Sequence, residues 1–317
     1  MQECTVNFVG FLSLLWNSAP DLLRLALIAM VPITLTSVGE VFSEKSGIVN
    51  IGLEGILLIS AFTSLWAAEV TSSPWIGLLA GLGTGALIGW IHGLIAIPLK
   101  GDQVISGIGI NLFALGFVAF GIMAVWKSAG YHQAPPAARV PALQTPLGDL
   151  SPLIPATILI AILTWFLLNK TVLGLRVKAV GENPEATDVA GISVERTRFF
   201  AVIYGASLAG LGGAYLSIDW LSTITKELSA GRGFIALANV VFSGLNPLLA
   251  LLGGFLFGVF DTLALWIDTV SELKPCLPFA FHNFVKMLPY IATLAVVAVA
   301  IGHARFPKQS GQPYRRE

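Results

Sequence analysis

Long apolar blocks dominate this chain and constrain its fold more than any other feature. Each runs for about 20 residues, the length that a helix needs to cross roughly 30 Å of hydrocarbon. Of 317 residues, 55% are hydrophobic and only 11% are charged, against roughly 25% charged in a soluble domain. The blocks lack the apolar–polar alternation of a membrane barrel. The sequence therefore predicts an all-α, polytopic transmembrane helical bundle.

The blocks predict about eight to ten membrane spans within one transmembrane domain that covers residues 1–317. An apolar stretch at 6–16 predicts a short helix at the membrane surface. We expect it not to be a secretion signal, because no basic residue precedes it. In chain order, the predicted spans are 22–41, 48–68, 75–99, 104–126, 153–168, 199–218, 234–250 with a break at Asn246-Pro247, 251–267 and 288–303.

Positive charges predict the orientation, because short loops rich in Lys and Arg stay in the cytoplasm. The strongly charged stretch 170–198 is therefore placed inside, together with Lys45 and a cytoplasmic tail at 304–317. Cys4 and Cys276 then both face outward, either as an external disulfide or, the favoured interpretation, as two unrelated cysteines. The net charge of zero gives no reason to expect nucleic acid as a partner.

Glycine recurs every four residues in the third predicted span. Because four residues is just over one helical turn, these glycines form a nearly continuous stripe along one face. Such a stripe lets another helix backbone come close, which is how helices associate in lipid. The pattern predicts tight helix contact but names no substrate. The stripe consists of Gly77, Gly81, Gly85, Gly89 and Gly93.

Three ionisable residues lie inside apolar blocks, where burial of a charge is costly and usually functional. They are Glu54, His92 and Asp261. Glu54 is interpreted either as a transport residue or as a structural clamp. His92 and Asp261 are interpreted as structural residues that bond to neighbouring helices. Three scattered groups do not make a proton relay.

Glycine-containing polar runs interrupt the apolar pattern at 101–111 and at 229–239, the second followed by 242–247. Unwound backbone at membrane depth is tolerated only where it lines a cavity or is buried in protein. The runs lie in corresponding positions of the two halves of the chain. This arrangement is typical of transporters with inverted-repeat-like broken helices and a solute path between them.

Each run supplies an asparagine and a nearby aromatic ring. Asn111 and Asn239 are candidate hydrogen-bonding groups for a polar solute, and Phe113 or Phe242 is a candidate for stacking on its ring. The alternative is that both asparagines only tie helices together.

The charged inner loop predicts a short, capped helix. Asn183 suits the N-cap, Pro184 the first helical position and Gly191 the stop. Glu185 and Asp188 complement the positive start of a helix. Such a helix between two spans favours a docking element, and an ordered connector is the alternative.

This loop resembles the cytoplasmic coupling helix of ABC importer permeases in the branched-chain amino acid, ribose and nucleoside superfamily. Residues 39–55 look like the signature of the sugar and nucleoside branch, and residues 231–239 through 246–247 are a third match. In length the chain is similar to the shorter of the two permeases that pair in nucleoside importers. The resemblance implies a type II-like ABC importer permease.

The resemblance implies that this chain is a transport subunit of the bacterial cytoplasmic membrane. The favoured solute is a nucleoside, and the alternative is a simple sugar such as ribose. A separate ATPase would dock on loop 171–198, a second homologous permease would complete the pathway, and an external or periplasmic solute-binding protein would deliver the solute. The implied coupling residues are Glu182, Asn183, Pro184, Glu185, Ala186, Asp188, Ala190 and Gly191. The candidate pathway residues are Asn50, Glu54, Asn111, Phe113, Asn239 and Phe242.

Two other classes of membrane protein remain as alternatives. An ion-coupled secondary transporter should show a buried charge pair or ion site, and none is evident in the sequence. An intramembrane enzyme needs a nucleophile with a base or a metal cluster, whereas the four histidines are scattered without ligand spacing. The chain also lacks a G-x-x-x-x-G-K-[ST] loop. We therefore expect no cofactor or metal on this chain, with ATP and Mg bound by the partner ATPase.

Overall fold

The computed structural model describes residues 8–128, 130–146, 148–269 and 306–314, and the single positions 287, 291, 294 and 298. These residues form a helical bundle with two small pairs of strands. The helices are α1 (Phe8–Asn17), α2 (Ala19–Lys45), α3 (Leu53–Thr71), α4 (Pro74–Ala96), α5 (Gln103–Trp126), α6 (Leu153–Lys170), α7 (Val172–Glu182), α8 (Pro184–Val189), α9 (Val194–Tyr215), α10 (Arg232–Phe242) and α11 (Pro247–Thr269). The strands are β1 (Tyr131–Gln133), β2 (Leu143–Thr145), β3 (Gly148–Leu150) and β4 (Thr223–Thr225).

Within the described residues, seven helices are long and apolar enough to cross a membrane, namely α2, α3, α4, α5, α6, α9 and α11. The apolar stretch of α9 continues through a π-helical turn to Trp220. These helices confirm the predicted polytopic bundle. The predicted span at 288–303, apart from three single positions, lies outside the described residues, as do Cys4 and Cys276.

Two predicted spans have the wrong boundaries. Residues 48–52 are not helical, and α3 begins only at Leu53. The predicted span 234–250 is not one helix, because α10 ends before the Asn246-Pro247 break and α11 begins at the proline. Proline has no backbone N–H to donate and favours the first position of a helix. At 11 residues and 1.5 Å per residue, α10 is too short to cross the bilayer alone.

The run 101–111 is not a break inside a helix, which corrects a second expectation. α5 begins at Gln103 and continues without interruption to Trp126. The Asp102 carboxylate caps its start by accepting the N–H groups of Val104 and Ile105, at 2.8 and 2.9 Å. The small residues of this run therefore lie within a regular helix.

The glycine stripe of α4 makes the tight helix contact that the sequence predicts, and the structure shows that the main partner is α9. A Cβ added at Gly85 would overlap the carbonyl oxygen of Ala206 and lie 2.8 Å from the Cα of Gly210. Gly39 of α2 and Gly205 of α9 face each other in the same way, backbone against backbone. Only residues without side chains can approach each other this closely. Because α9 makes such contacts with both α2 and α4, it lies at the centre of the bundle.

The loop after α5 is fixed to the segment that precedes α10. Strand β1 pairs antiparallel with β4, with His132 opposite Ile224. The ring of His132 stacks on Trp126 with 4.5 Å between centroids, and its Nε2 lies 2.6 Å from a carboxylate oxygen of Glu69. This loop therefore joins the ends of α3 and α5 to the chain that leads into α10.

Candidate functional site

An unwound segment, residues 46–52, separates α2 from α3 and is held by polar side chains of the bundle. The Glu40 carboxylate, from α2, accepts the backbone N–H of Asn50 at 2.7 Å. The side-chain oxygen of Gln103, at the start of α5, accepts the N–H of Val49 at 2.8 Å. Because no water satisfies backbone groups in hydrocarbon, a non-helical segment needs such partners.

Two further side chains complete this support. His92 of α4 lies 2.9 Å from the Ser106 hydroxyl and 3.2 Å from the carbonyl oxygen of Val49. This confirms that His92 bonds to neighbouring elements. The side chain of Asn111 donates to the carbonyl of Ile51 at 3.0 Å, and its oxygen accepts the N–H of Gly55 at 2.8 Å. The unwound segment is thus held in place by α2, α4 and α5.

Glu54, in the first turn of α3, holds the start of α10. Its two carboxylate oxygens accept the backbone N–H groups of Gly231 and Gly233, each at 2.7 Å. Gly231 has a φ of +80°, a conformation that favours glycine. A Cβ at Gly233 would overlap the backbone of Glu54. Since a helix start carries unpaired N–H groups and partial positive charge, a carboxylate stabilises it.

Arg232, between these two glycines, ties the same helix start to the π-helical turn after α9 and to α11. Its guanidinium lies 3.2 Å from the carboxylate of Asp261 and 4.6 Å from the ring centroid of Trp220. The two charged side chains are only 13% and 24% exposed. Sequence inspection did not reveal this buried charge pair, because its members are 29 positions apart. The expected bond from Asp261 to a neighbouring helix is confirmed.

A cavity of about 490 Å³ lies between α3, α5 and the segment that leads into α10. This volume is in the range of pockets for small molecules. Its walls are mainly apolar, with a few polar groups at the α3 and α10 ends. The lining residues are Ile51, Glu54, Gly55, Leu58, Ile108, Asn111, Leu112, Leu115, Glu227, Ser229, Ala230, Gly231 and Phe234.

Two of the six candidate pathway residues, Glu54 and Asn111, come together at this cavity. Asn50 is buried, and its side-chain oxygen accepts the N–H of Gly52 at 2.9 Å. It does not line the cavity, and its side chain shapes the unwound segment. A direct contact between these residues and a solute stays a prediction.

The other three candidates lie away from the cavity. Asn239 is buried and donates to the Ser37 hydroxyl and to the Ala250 carbonyl, each at 2.8 Å. Phe113 is on an exposed face of α5, and Phe242 ends α10. Both asparagines tie elements together, which was the alternative interpretation. The pathway role of these residues stays a prediction.

Sequence reasoning missed Phe234, Glu227 and Ser229 as lining residues. Phe234 is 51% exposed and lies in the first turn of α10. Its position beside Gly231 and Gly233 could have marked it as a site residue, because glycines often occur where the backbone comes close to a ligand. The cavity-lining leucines of α5 gave no signal, since a cavity-facing leucine and a lipid-facing leucine look alike in sequence.

The charged inner loop forms α7 and α8, and the predicted cap is present. The Asn183 side chain accepts the N–H of Ala186 at 2.9 Å, and α8 begins with Pro184. Gly191 follows the helix with a φ of +81°. This confirms the short capped helix, whereas its docking role stays a prediction. The exposed residues around it are Glu182, Asn183, Glu185, Ala186, Val189, Ala190 and Gly191.

Comparison with known proteins agrees with this architecture. Three similar proteins are the guanosine ABC transporter permease protein NupQ of Bacillus subtilis (36% identical, 91% of this chain and 94% of the relative), the nucleoside ABC transporter permease protein NupC of Lactococcus lactis (35%, 91% and 94%) and the putative glucose ABC transporter permease protein TsgC13 of Haloferax volcanii (34%, 89% and 92%). No solved structure matches.

The match to a protein family covers most of the chain. Residues 22–301 match the family described as branched-chain amino acid transport system / permease component. The match includes the unwound segment, the cavity and α8, and it agrees with the seven helices able to cross a membrane. The chain therefore belongs to this permease family and is a multi-pass transport subunit of the cytoplasmic membrane.

Proposed function

We propose that this chain is the permease subunit of an ABC importer that carries a nucleoside through the cavity between α3, α5 and α10. The observation that carries the proposal is the cavity of about 490 Å³ beside the unwound segment between α2 and α3. Relatives named for guanosine and nucleoside support the solute class. A sugar permease is the second candidate, because one relative is named for glucose.

The chemistry of the cavity favours a nucleoside over a sugar. A sugar needs many hydrogen-bonding groups, but the side chains of Glu54 and Asn111 are already bonded to backbone atoms. The half-exposed ring of Phe234 and the leucines of α5 instead offer apolar surface to a flat base. Glu227 and Ser229 are the polar groups that remain for ribose hydroxyls.

Phe234→Ala tests the solute class. If the ring stacks on a base, we expect nucleoside uptake to fall about tenfold, since stacking of one base on an aromatic side chain is worth roughly 1–3 kcal/mol. Uptake of radiolabelled guanosine into vesicles, normalised to inserted protein, is the measurement. Phe166→Ala is the matched control, because this phenylalanine of α6 is also 51% exposed but does not line the cavity, so its loss should leave uptake unchanged. An equal loss in both variants would contradict the assignment of the stacking ring to Phe234.

Three partners belong to this proposal. A separate ATPase docks on the exposed face of α8, and a second permease covers the exposed apolar face of α5. An external solute-binding protein delivers the nucleoside to the cavity. The chain itself holds no ATP, because its sequence has no phosphate-binding P-loop.

Val189→Asp tests docking on α8. Val189 is 91% exposed, so the change should leave the fold intact while placing a charge in an apolar contact. We expect ATP-driven uptake to fall about tenfold, as for a central interface residue, with unchanged insertion. Uptake by the assembled transporter in proteoliposomes is the measurement, and Glu195→Ala, also exposed but outside α8, is the control. Uptake that persisted without the ATPase would contradict the proposed function.

A further inference from the structure

A segment near the C-terminus, residues 306–314, lies across the inner ends of α2 and α7; we call it the strap. The backbone N–H of Gln309 donates to the carbonyl of Gly181 at 3.1 Å, and that of Gly311 donates to the carbonyl of Gly47 at 3.0 Å. A cytoplasmic tail with no further role would not need to be bonded to two separate elements of the bundle.

Arg198 joins the strap to the unwound segment. It is 1% exposed, at the inner end of α9. Its Nε donates to the carbonyl of Ser46 at 3.2 Å, and its Nη1 donates to the carbonyl of Gln312 at 3.3 Å. A buried guanidinium is costly unless it is hydrogen-bonded. Its position is thus explained by holding the strap and the start of the unwound segment together.

Tyr314 joins the other end of the strap to α8. Its hydroxyl donates to a carboxylate oxygen of Asp188 at 3.2 Å. A continuous series of contacts therefore runs from α8 through Tyr314 and the strap to Gly47. From there the unwound segment leads directly to Glu54 and the cavity.

We propose that the strap transmits movement of α8 to the unwound segment, with Arg198 and Tyr314 as positioning residues. The inference rests on the proposed function, because it assigns the origin of the movement to an ATPase docked on α8. Residues 48–51 of the unwound segment lie outside any helix, so they move by exchanging single side-chain hydrogen bonds and not by breaking a helix. Coupling through such a route requires an element that both sites contact, and the strap contacts α8 at one end and Gly47 at the other.

The test uses the assembled transporter in proteoliposomes, with guanosine uptake and ATP hydrolysis measured in the same vesicles. Tyr314→Phe removes one hydroxyl, and we expect guanosine uptake per ATP to fall about fivefold, the effect of a single hydrogen bond. Deletion of residues 308–317 should lower this ratio roughly tenfold or more, while ATP hydrolysis continues. Lys308→Ala, an exposed change in the strap, should leave the ratio unchanged.

The outcomes separate this inference from the proposed function. An unchanged ratio in both Tyr314→Phe and the deletion would overturn the strap as a coupling element, even if less transporter assembled. Absence of ATP-dependent uptake in the wild type would instead overturn the proposed function. Arg198→Lys should recover part of the ratio lost in Arg198→Gln, since an ammonium still donates to a carbonyl. If neither Arg198 variant folds, the Tyr314 result decides.

Discussion

Replacing Glu54 with alanine is expected to lower uptake to about one hundredth of the wild-type rate. The change removes both acceptors of the Gly231 and Gly233 N–H groups, and hydrogen bonds to a charged group are worth roughly 1.5–3 kcal/mol each. The start of α10 would then lose its fixed position beside the cavity. Initial rates of guanosine uptake, at matched amounts of inserted protein, are the measurement.

Two further variants identify the cause of that loss. Glu54→Gln keeps the size but replaces one acceptor with a donor, so we expect an intermediate loss. Glu227→Gln removes another carboxylate from the same cavity, where the side chain is 76% exposed and paired only loosely with Lys226 at 3.8 Å. Exposed pairs of this kind contribute little, and the glutamine oxygen still accepts a ribose hydroxyl, so we expect a loss of no more than about fivefold, that of a single hydrogen bond. Equal losses at both positions would contradict the clamp and favour a general effect of negative charge.

The helices could be predicted from the sequence because hydropathy is a local property. The predicted spans 75–99 and 104–126 lie within a few residues of α4 and α5, and the glycine spacing indicated which face of α4 packs closely. The capped helix α8 was also predictable, since caps depend on neighbours in the chain. Asn183 and Pro184 are adjacent, and both act within one helical turn.

The unwound segment could not be predicted because its stability comes from distant residues. Ile48, Val49 and Ile51 are apolar, so a hydropathy window counts them as the start of a span. Their backbone groups are satisfied by side chains such as Gln103 and Asn111, which are 54 and 60 positions away. Only the folded bundle brings these partners together.

The role of Glu54 could not be predicted for the same reason, because the groups that it bonds are distant in the sequence. Burial of a carboxylate in an apolar block predicts importance, but the two interpretations, transport residue and clamp, differ only in what lies opposite the side chain. The opposing groups, Gly231 and Gly233, are 177 and 179 positions away. The structure shows the clamp, and because the clamp forms part of the cavity wall, we expect its loss to lower transport whether or not the carboxylate bonds the solute.

The second large effect is expected in the glycine stripe, at Gly85. A Cβ there would overlap the carbonyl oxygen of Ala206 and lie 3.0 Å from the backbone nitrogen of Gly210. Backbone cannot rotate away as a side chain can, so even Gly85→Ala must separate α4 from α9. Overpacking of a core typically costs about 1–3 kcal/mol. We expect Gly85→Ala to lower the melting temperature in detergent by roughly 5 °C, and Gly85→Val to yield no folded protein.

Gly83 provides the matched control on the same helix. A Cβ there would meet no atom of the described residues within 4 Å, so both Gly83→Ala and Gly83→Val should insert and melt like the wild type. Alanine is also the better helix former by about 1 kcal/mol in water, so any shift for Gly83→Ala should be upward. If Gly85→Ala melted as high as Gly83→Ala, the close approach of α4 and α9 would be wrong. The central position of α9, which carries Arg198 at its inner end and leads into the π-helical turn with Trp220 beside α10, would then lose its main support.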